Sequence, residues 1–214
     1  MMNRRLLFLC GQKEGLAFRQ HAESLAPGIE TLWVDNVESL DVVTEENAER
    51  TRLLSFLTNV IVPQRILRRL GPTPYNVHPG SSDYPGAHGI NFAIWEGADT
   101  FGVTAHEMTA TVDSGAIVIS DTFALPADAD ALSFGDHVYA RAVSVMDRVI
   151  RHCVTSDRQM PRDGTRWSTR QCTKRRLDGL LAAAPSLLPA DFSRLQRALG
   201  PDLWPNDFAK HRHG

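Results

Sequence analysis

Asn76 and His78 stand two residues apart in the segment TPYNVH, just before a loop that carries Pro79, Gly80, Pro85, Gly86 and Gly89. Side chains two apart on a strand project from the same face, and ligands of open α/β sheets bind beyond the carboxyl ends of the strands. Asparagine offers a neutral N–H donor there, and histidine can donate or accept a proton near neutral pH. Together the two suit an oxygen that gains negative charge during a reaction. The plainer reading is a strand-end asparagine capping a turn beside a half-buried histidine, because short patterns of this kind recur without function.

Asp113, in TVDSG, is the third candidate. Asp-Ser-Gly is good turn chemistry in its own right, and the alternative is a carboxylate that orients His78 or takes a proton. His106, in VTAHEM, falls within an alternating strand pattern, where a lone histidine is more often structural. GQKEG, from Gly11 to Gly15, follows a strand and opens a helix, a geometry that can cradle phosphate on backbone N–H groups, but it matches neither GxGxxG nor a P-loop. The arginines of PQRILRRLG (Arg65, Arg68 and Arg69) form a candidate anion patch, weighed against a solvated face. The tail histidines His211 and His213 show no metal-ligand spacing and are expected to be disordered, and no GxSxG nucleophile turn occurs.

The elements that must position these residues follow from apolar patterning. Compact runs at Leu6–Gly11, Ile29–Asp35, Leu53–Thr58 and in TPYNVH read as strands, and Leu16–Leu25, Glu45–Arg52 and PQRILRRLG read as helices between them. Strand alternating with helix predicts βαβ units and a mostly parallel sheet covered on both faces. Phe101–Met108 and Ala116–Leu125 predict a β-hairpin-rich second half, followed by a long helix over Ala131–His152. Beyond Thr155, SDRQMPRDGTRWSTRQCTKRR is polar and basic and is expected to be an exposed connector to short helices at Leu177–Ala184 and Asp191–Leu199. The fold class is α/β: a Rossmann-like, mostly parallel twisted sheet flanked by helices, with a helical C-terminal tail. The expected division is a catalytic domain over 1–155 and a helical appendage over 156–214.

Composition narrows the function classes. The chain has 214 residues and a net charge of −2, with 43% apolar and 22% charged residues. A core can form at this length without staples, and no global positive field draws nucleic acid. Three separated cysteines without a CxxC give no metal knuckle or redox pair and fit a reducing cytoplasm. The start MMNRRLLFLCG imitates a signal peptide, but its apolar run is short and QKEG follows at once, so it reads as the first strand. No segment approaches a membrane span.

Taken together, NVHPGSSDYPGAHGINFAIWEGAD and FGVTAHEMTATVDSGAIV resemble the folate-dependent formyltransferase family, which includes glycinamide ribonucleotide, methionyl-tRNA and sugar-nucleotide formyltransferases. The matching positions are Asn76, His78, Pro79, Gly86, Ala93, Ile94, Gly97, Gly102, Thr104, Asp113 and Gly115, and His106 lies where many members have a histidine. The resemblance is strongest over about residues 53–126. It implies transfer of a formyl group from 10-formyltetrahydrofolate, as co-substrate, to a small-molecule amine. Asn76 and His78 would stabilise the oxyanion, while Asp113 would hold His78 and accept the amine proton through water. It also implies pterin contacts from Thr58, Asn59, Val60 and Ile61 and from Thr109, Ala110, Thr111 and Val112, with no metal.

The departures from the family pattern bear on the acceptor. CGQKEGLAF lacks the family's phosphate turn for glycinamide ribonucleotide, Gly80 replaces the usual serine after His-Pro, and Ala116 replaces the frequent proline after D-x-G. A short helical tail and a net charge of −2 speak against tRNA. An amino group on a sugar nucleotide is the favoured acceptor. The alternatives are 10-formyltetrahydrofolate hydrolysis (a deformylase), a non-catalytic folate-fold module, and a nucleotide-binding sheet protein using Gly11–Gly15. Nucleic-acid and membrane partners are not expected, and a homodimer is left open. Trp167–Arg176 is open between an acceptor wall, a dimer contact and a disordered linker.

Overall fold

A computed structural model describes residues 4–203; His211 and His213 lie outside them. One sheet of six strands runs through the molecule in the order β2-β1-β3-β4-β5-β6. Strands β1 (Arg5–Leu9), β2 (Glu30–Val34), β3 (Thr51–Phe56) and β4 (Tyr75–His78) are parallel. The last two, β5 (Thr100–Glu107) and β6 (Ile117–Ala124), run antiparallel to β4 and to each other.

Alternation along the buried strands divides the core into two faces. Leu6, Phe8 and Cys10 enter one cluster with Leu54 and Phe56, beneath α1 (Gln12–Leu25) and α5 (Ala131–Thr155). Leu7, Leu9 and Leu53 enter the other, closed by Leu40, Ala48 of α2 (Glu45–Ala48) and Ile66 of α3 (Gln64–Leu67). Helix α5 begins at an Asp130 cap whose carboxylate accepts from the Leu132 and Ser133 N–H groups. Its Val138, Ala142, Val145, Met146 and Val149 follow helical spacing into the sheet. A third cluster joins Phe92 of α4 (Gly89–Glu96) to Leu177 of α6 (Lys174–Ala183) and to Leu195 and Leu199 of α7 (Pro189–Leu203), which breaks at Gly200. No described helix is long and apolar enough to cross a membrane.

Two expectations are corrected. The helix expected to reach Arg52 stops at Ala48, and Thr51 and Arg52 belong to β3. The buried Arg52 guanidinium is accommodated because it donates to the Asp157 and Ser156 carbonyls at 2.9 and 3.5 Å and lies over the Tyr75 ring. The connector after Thr155 is also not a free solvated strand of chain. Met160 and Cys172 are buried, and backbone N–H groups of Asp163, Ser168 and Cys172 donate to the carbonyls of Ile117, Ser82 and Pro85. The three cysteines are free and buried.

Candidate active site

The parallel strands deliver their carboxyl ends to one side of the sheet, and a cavity of about 580 Å³ opens beyond β3 and β4. Its size is that of a small-molecule site. Asn76 and His78 sit on the same face of β4 and both line it, as their spacing predicts. Antiparallel pairing then places His106 of β5 directly opposite Asn76, and Thr104 opposite His78. The β5–β6 register shifts between Ala105 and His106, the kind of irregularity that re-aims a side chain near a site.

Asp113 arrives from the turn after β5. Its φ of +46° is left-handed, a conformation Asp tolerates better than most residues. The turn reading and the carboxylate reading are therefore compatible. The side chain is buried, with Oδ1 3.6 Å from His78 Nδ1 and 3.5 Å from His106 Nε2. Oδ2 accepts from the Gly86 N–H at 3.1 Å. Gly86 itself has a φ of +103°, and a Cβ there would lie 3.0 Å from the Cys172 carbonyl oxygen. The loop after His78 needs a glycine at this point, and the reward is a backbone donor aimed at Asp113.

The hydrogen-bond network assigns the protons. His106 Nδ1 lies 2.9 Å from the Glu107 carbonyl oxygen, which can only accept, so Nδ1 carries the hydrogen. In the neutral ring Nε2 is then bare and accepts from the Asn76 amide, 3.1 Å away. One Asn76 N–H is thereby committed and its direction fixed, leaving the second N–H for a ligand. Burial lowers the His78 pKa from its ordinary 6.5, outweighing the attraction of Asp113, so the ring is neutral at pH 7. Burial pushes Asp113 upward, but in acid a protonated His106 ring that donates to it, the charge of His78 and the Gly86 N–H together outweigh burial and hold the carboxyl below its usual range. The site thus pairs an ionised carboxylate with a neutral His78 ring 3.6 Å away, a gap that a bound water or amine can bridge.

The other walls of the cavity bring together two segments far apart in the chain. Thr58, Asn59, Val60 and Ile61 form one edge, and Thr109, Ala110, Thr111 and Val112 form the other. Leu57, with a φ of +45°, turns the chain out of β3 into the first edge. Ile61 and Val112 are 67% and 58% exposed, so the mouth carries apolar side chains where a free surface would carry polar ones. Sequence reasoning missed the floor contributed by the start of α5, namely Ala131, Gly135, Val138 and Tyr139. Its signal was available: Gly135 and Tyr139 interrupt an otherwise aliphatic helix face.

Gly11–Gly15 lies outside the cavity. The start of α1 is already occupied by Glu14, whose carboxylate accepts from the Tyr139 hydroxyl at 2.7 Å. Gly15 is needed for packing, since a Cβ there would fall 1.9 Å from the Trp33 ring. Arg65 pairs with Asp41 at the surface, away from the cavity. Among the described residues, no group of three or more His, Cys, Asp or Glu is placed to hold a metal ion.

The formyl transferase family model matches residues 6–150, which contain every one of these cavity residues. The chain belongs to the formyl transferase family. Solved structures share its fold. A Mycobacterium tuberculosis protein taken to be a sugar N-formyltransferase superposes with a TM-score of 0.69 at 19% identity, covering 96% of this chain and 90% of that one. WlaRD, a sugar 3N-formyltransferase studied in the presence of dTDP and 5-N-formyl-THF, gives 0.66 at 10% identity, covering 94% and 81%. HypX from Aquifex aeolicus, in complex with tetrahydrofolic acid, gives 0.59 at 18% identity, covering 93% of this chain but 35% of the longer HypX chain. Beyond the matched residues, α6 and α7 pack against α4.

Proposed function

We propose that the protein transfers the formyl group of 10-formyltetrahydrofolate to a primary amine of a small molecule, and that the acceptor is an amino sugar carried on a nucleotide. The observation that carries this reading is the convergence of Asn76, His78, His106 and Asp113 on one wall of a cavity that is also lined by two chain edges, 58–61 and 109–112, and floored by α5. A flat pterin suits such edges, because its ring edge takes backbone hydrogen bonds while its faces meet apolar groups. WlaRD, studied with 5-N-formyl-THF, and HypX, in complex with tetrahydrofolic acid, support the co-substrate, and the dTDP beside WlaRD supports a nucleotide on the acceptor. In this reading residues 1–155 are the catalytic domain and 156–214 the C-terminal appendage.

The steps follow from the groups present. The amine nitrogen attacks the formyl carbon, and the carbonyl oxygen becomes an oxyanion facing the uncommitted Asn76 N–H and the His78 ring. The amine gives up a proton to Asp113, directly or through water. The C–N10 bond breaks, N10 takes a proton, and tetrahydrofolate leaves with the formamide formed. Water in place of the amine would give formate by the same route. The test is to supply 10-formyltetrahydrofolate with and without nucleotide-linked amino sugars and follow tetrahydrofolate. Release that requires the amine supports transfer. Release at the same rate without it identifies a hydrolase, and no release under either condition overturns the reading.

A further inference from the structure

Trp167 lies beyond the residues matched by the family model, in a segment without helix or strand. Its neighbours fix that segment across the ends of β4, β5 and β6. The Met160 N–H donates to the Tyr75 hydroxyl at 2.7 Å, and the Arg162 guanidinium pairs with Glu107 at 2.9 Å. The Asp163 N–H donates to the Ile117 carbonyl at 3.1 Å, Ser168 to Ser82 at 2.8 Å and Cys172 to Pro85 at 2.7 Å. The indole is therefore held from both directions along the chain, and its own Nε1–H donates to the Gly115 carbonyl at 2.7 Å, two residues after Asp113.

The indole meets both imidazoles of the site. Its ring is T-shaped to His106, with centroids 5.2 Å apart at 87°, and to His78, at 6.0 Å and 69°. Trp167 does not line the cavity, whereas both histidines do. It thus touches the imidazoles from behind. The seat has a second wall at Gly80, where a Cβ would fall 2.4 Å from His78 Nε2, so the absence of a side chain after His-Pro is what lets the ring lie there. His78 Nε2 is buried without a hydrogen-bond partner. Only packing orients that edge of the ring.

We propose that Trp167 is a positioning residue for the site: it fixes the planes of His78 and His106, and through its bond to Gly115 it seats the turn that presents Asp113. The substrate-facing work stays with Asn76, His78 and Asp113. The C-terminal appendage is then a structural part of the active site rather than a decoration on it. The kinetic side of this inference rests on the formyl-transfer reading; the packing side does not.

Two readouts test it on the full chain. Trp167→Ala lowers kcat by about 10- to 100-fold, the scale of an ångström-sized misplacement, while the KM for the folate moves by less than about threefold. Trp167→Phe, which restores an aromatic ring behind the histidines, recovers most of that loss. Imidazole NMR titration of the unliganded protein reads the same seat without turnover. The titratable groups facing His78 are Asp113 and His106, while Trp167 and Gly80 bring no charge. Opening the seat to water therefore moves the His78 titration upward in Trp167→Ala and leaves it near its original position in Trp167→Phe. Wild-type kcat in Trp167→Ala, or a rate loss with unmoved imidazole titrations, overturns the proposal. If Trp167→Ala does not fold, Trp167→Leu is read by the same two criteria. A wild-type protein inert toward 10-formyltetrahydrofolate and amines overturns the transferase reading alone, and the titration still decides the role of Trp167.

Discussion

Replacing Asp113 by Asn isolates charge from shape. The variant keeps an oxygen to accept the Gly86 N–H, which lies 3.1 Å from Oδ2, and Asn adopts the left-handed φ of +46° as readily as Asp. What disappears is the negative charge 3.5 and 3.6 Å from His106 Nε2 and His78 Nδ1. On stability the effects oppose each other. A charge-assisted hydrogen bond worth about 1.5–3 kcal/mol is weakened, and a neutral amide is cheaper to bury than a carboxylate. The net change is at most about 2 kcal/mol, or less than about 8 °C in Tm for a chain of this size. On turnover the effects do not oppose. Losing the proton acceptor removes a contribution of about 10²- to 10⁴-fold, equivalent to about 3–5 kcal/mol of barrier. The assay is tetrahydrofolate release under saturating amine, alongside a thermal melt. A folded Asp113→Asn protein within tenfold of the wild-type rate would refute the proton-acceptor role.

Three further outcomes are expected. His78→Ala lowers kcat by about 10²- to 10³-fold with little change in folate Kd; an affinity loss without a rate loss assigns His78 to binding instead. Gly86→Ala forces a Cβ 3.0 Å from the Cys172 carbonyl oxygen at a φ of +103°, costs about 1–3 kcal/mol, and lowers Tm in a melt; an unchanged Tm contradicts the account of that turn. Stability falls with acid in two stages. The His78 pKa is lowered on folding, so the unfolded chain takes up the proton first and stability declines as pH drops below the ordinary value of 6.5. The Asp113 pKa is also lowered, so its contribution is present above its ordinary value of 3.8 and is lost as pH falls through the folded value. Urea titrations of wild type and His78→Gln separate the first stage, which flattens in the variant; identical slopes below pH 6.5 remove His78 as its cause.

Much of the parallel half of the sheet was legible because buried strands read as compact apolar runs, and Leu6–Leu9 and Leu53–Phe56 are such runs. The Asn76–His78 pair was legible for the same geometric reason, since a spacing of two fixes a shared face. Asp113 stood out as a candidate in TVDSG, but only the resemblance favoured a function over a turn, because a left-handed turn and a functional carboxylate call for the same residue type. His106 faces Asn76 only once β4 and β5 pair antiparallel, and no local pattern states that register. Arg52 obscured the start of β3, because an arginine belongs in a buried strand only when carbonyls from the end of α5 are there to meet it. The segment around Trp167 read as an exposed connector for a similar reason. Its anchors are backbone hydrogen bonds and isolated buried residues, and neither leaves a period in the sequence.

The central claim is that Asn76, His78 and Asp113 surround one carbon atom. A crystal structure with a non-transferable 10-formyl folate analogue measures this directly. The account predicts the pterin between residues 58–61 and 109–112, the formyl oxygen about 2.7–3.2 Å from Asn76 Nδ2, and the formyl carbon within reach of an amine placed beside Asp113. A folate bound elsewhere, or one in this cavity with its formyl group turned away from those three side chains, would contradict it.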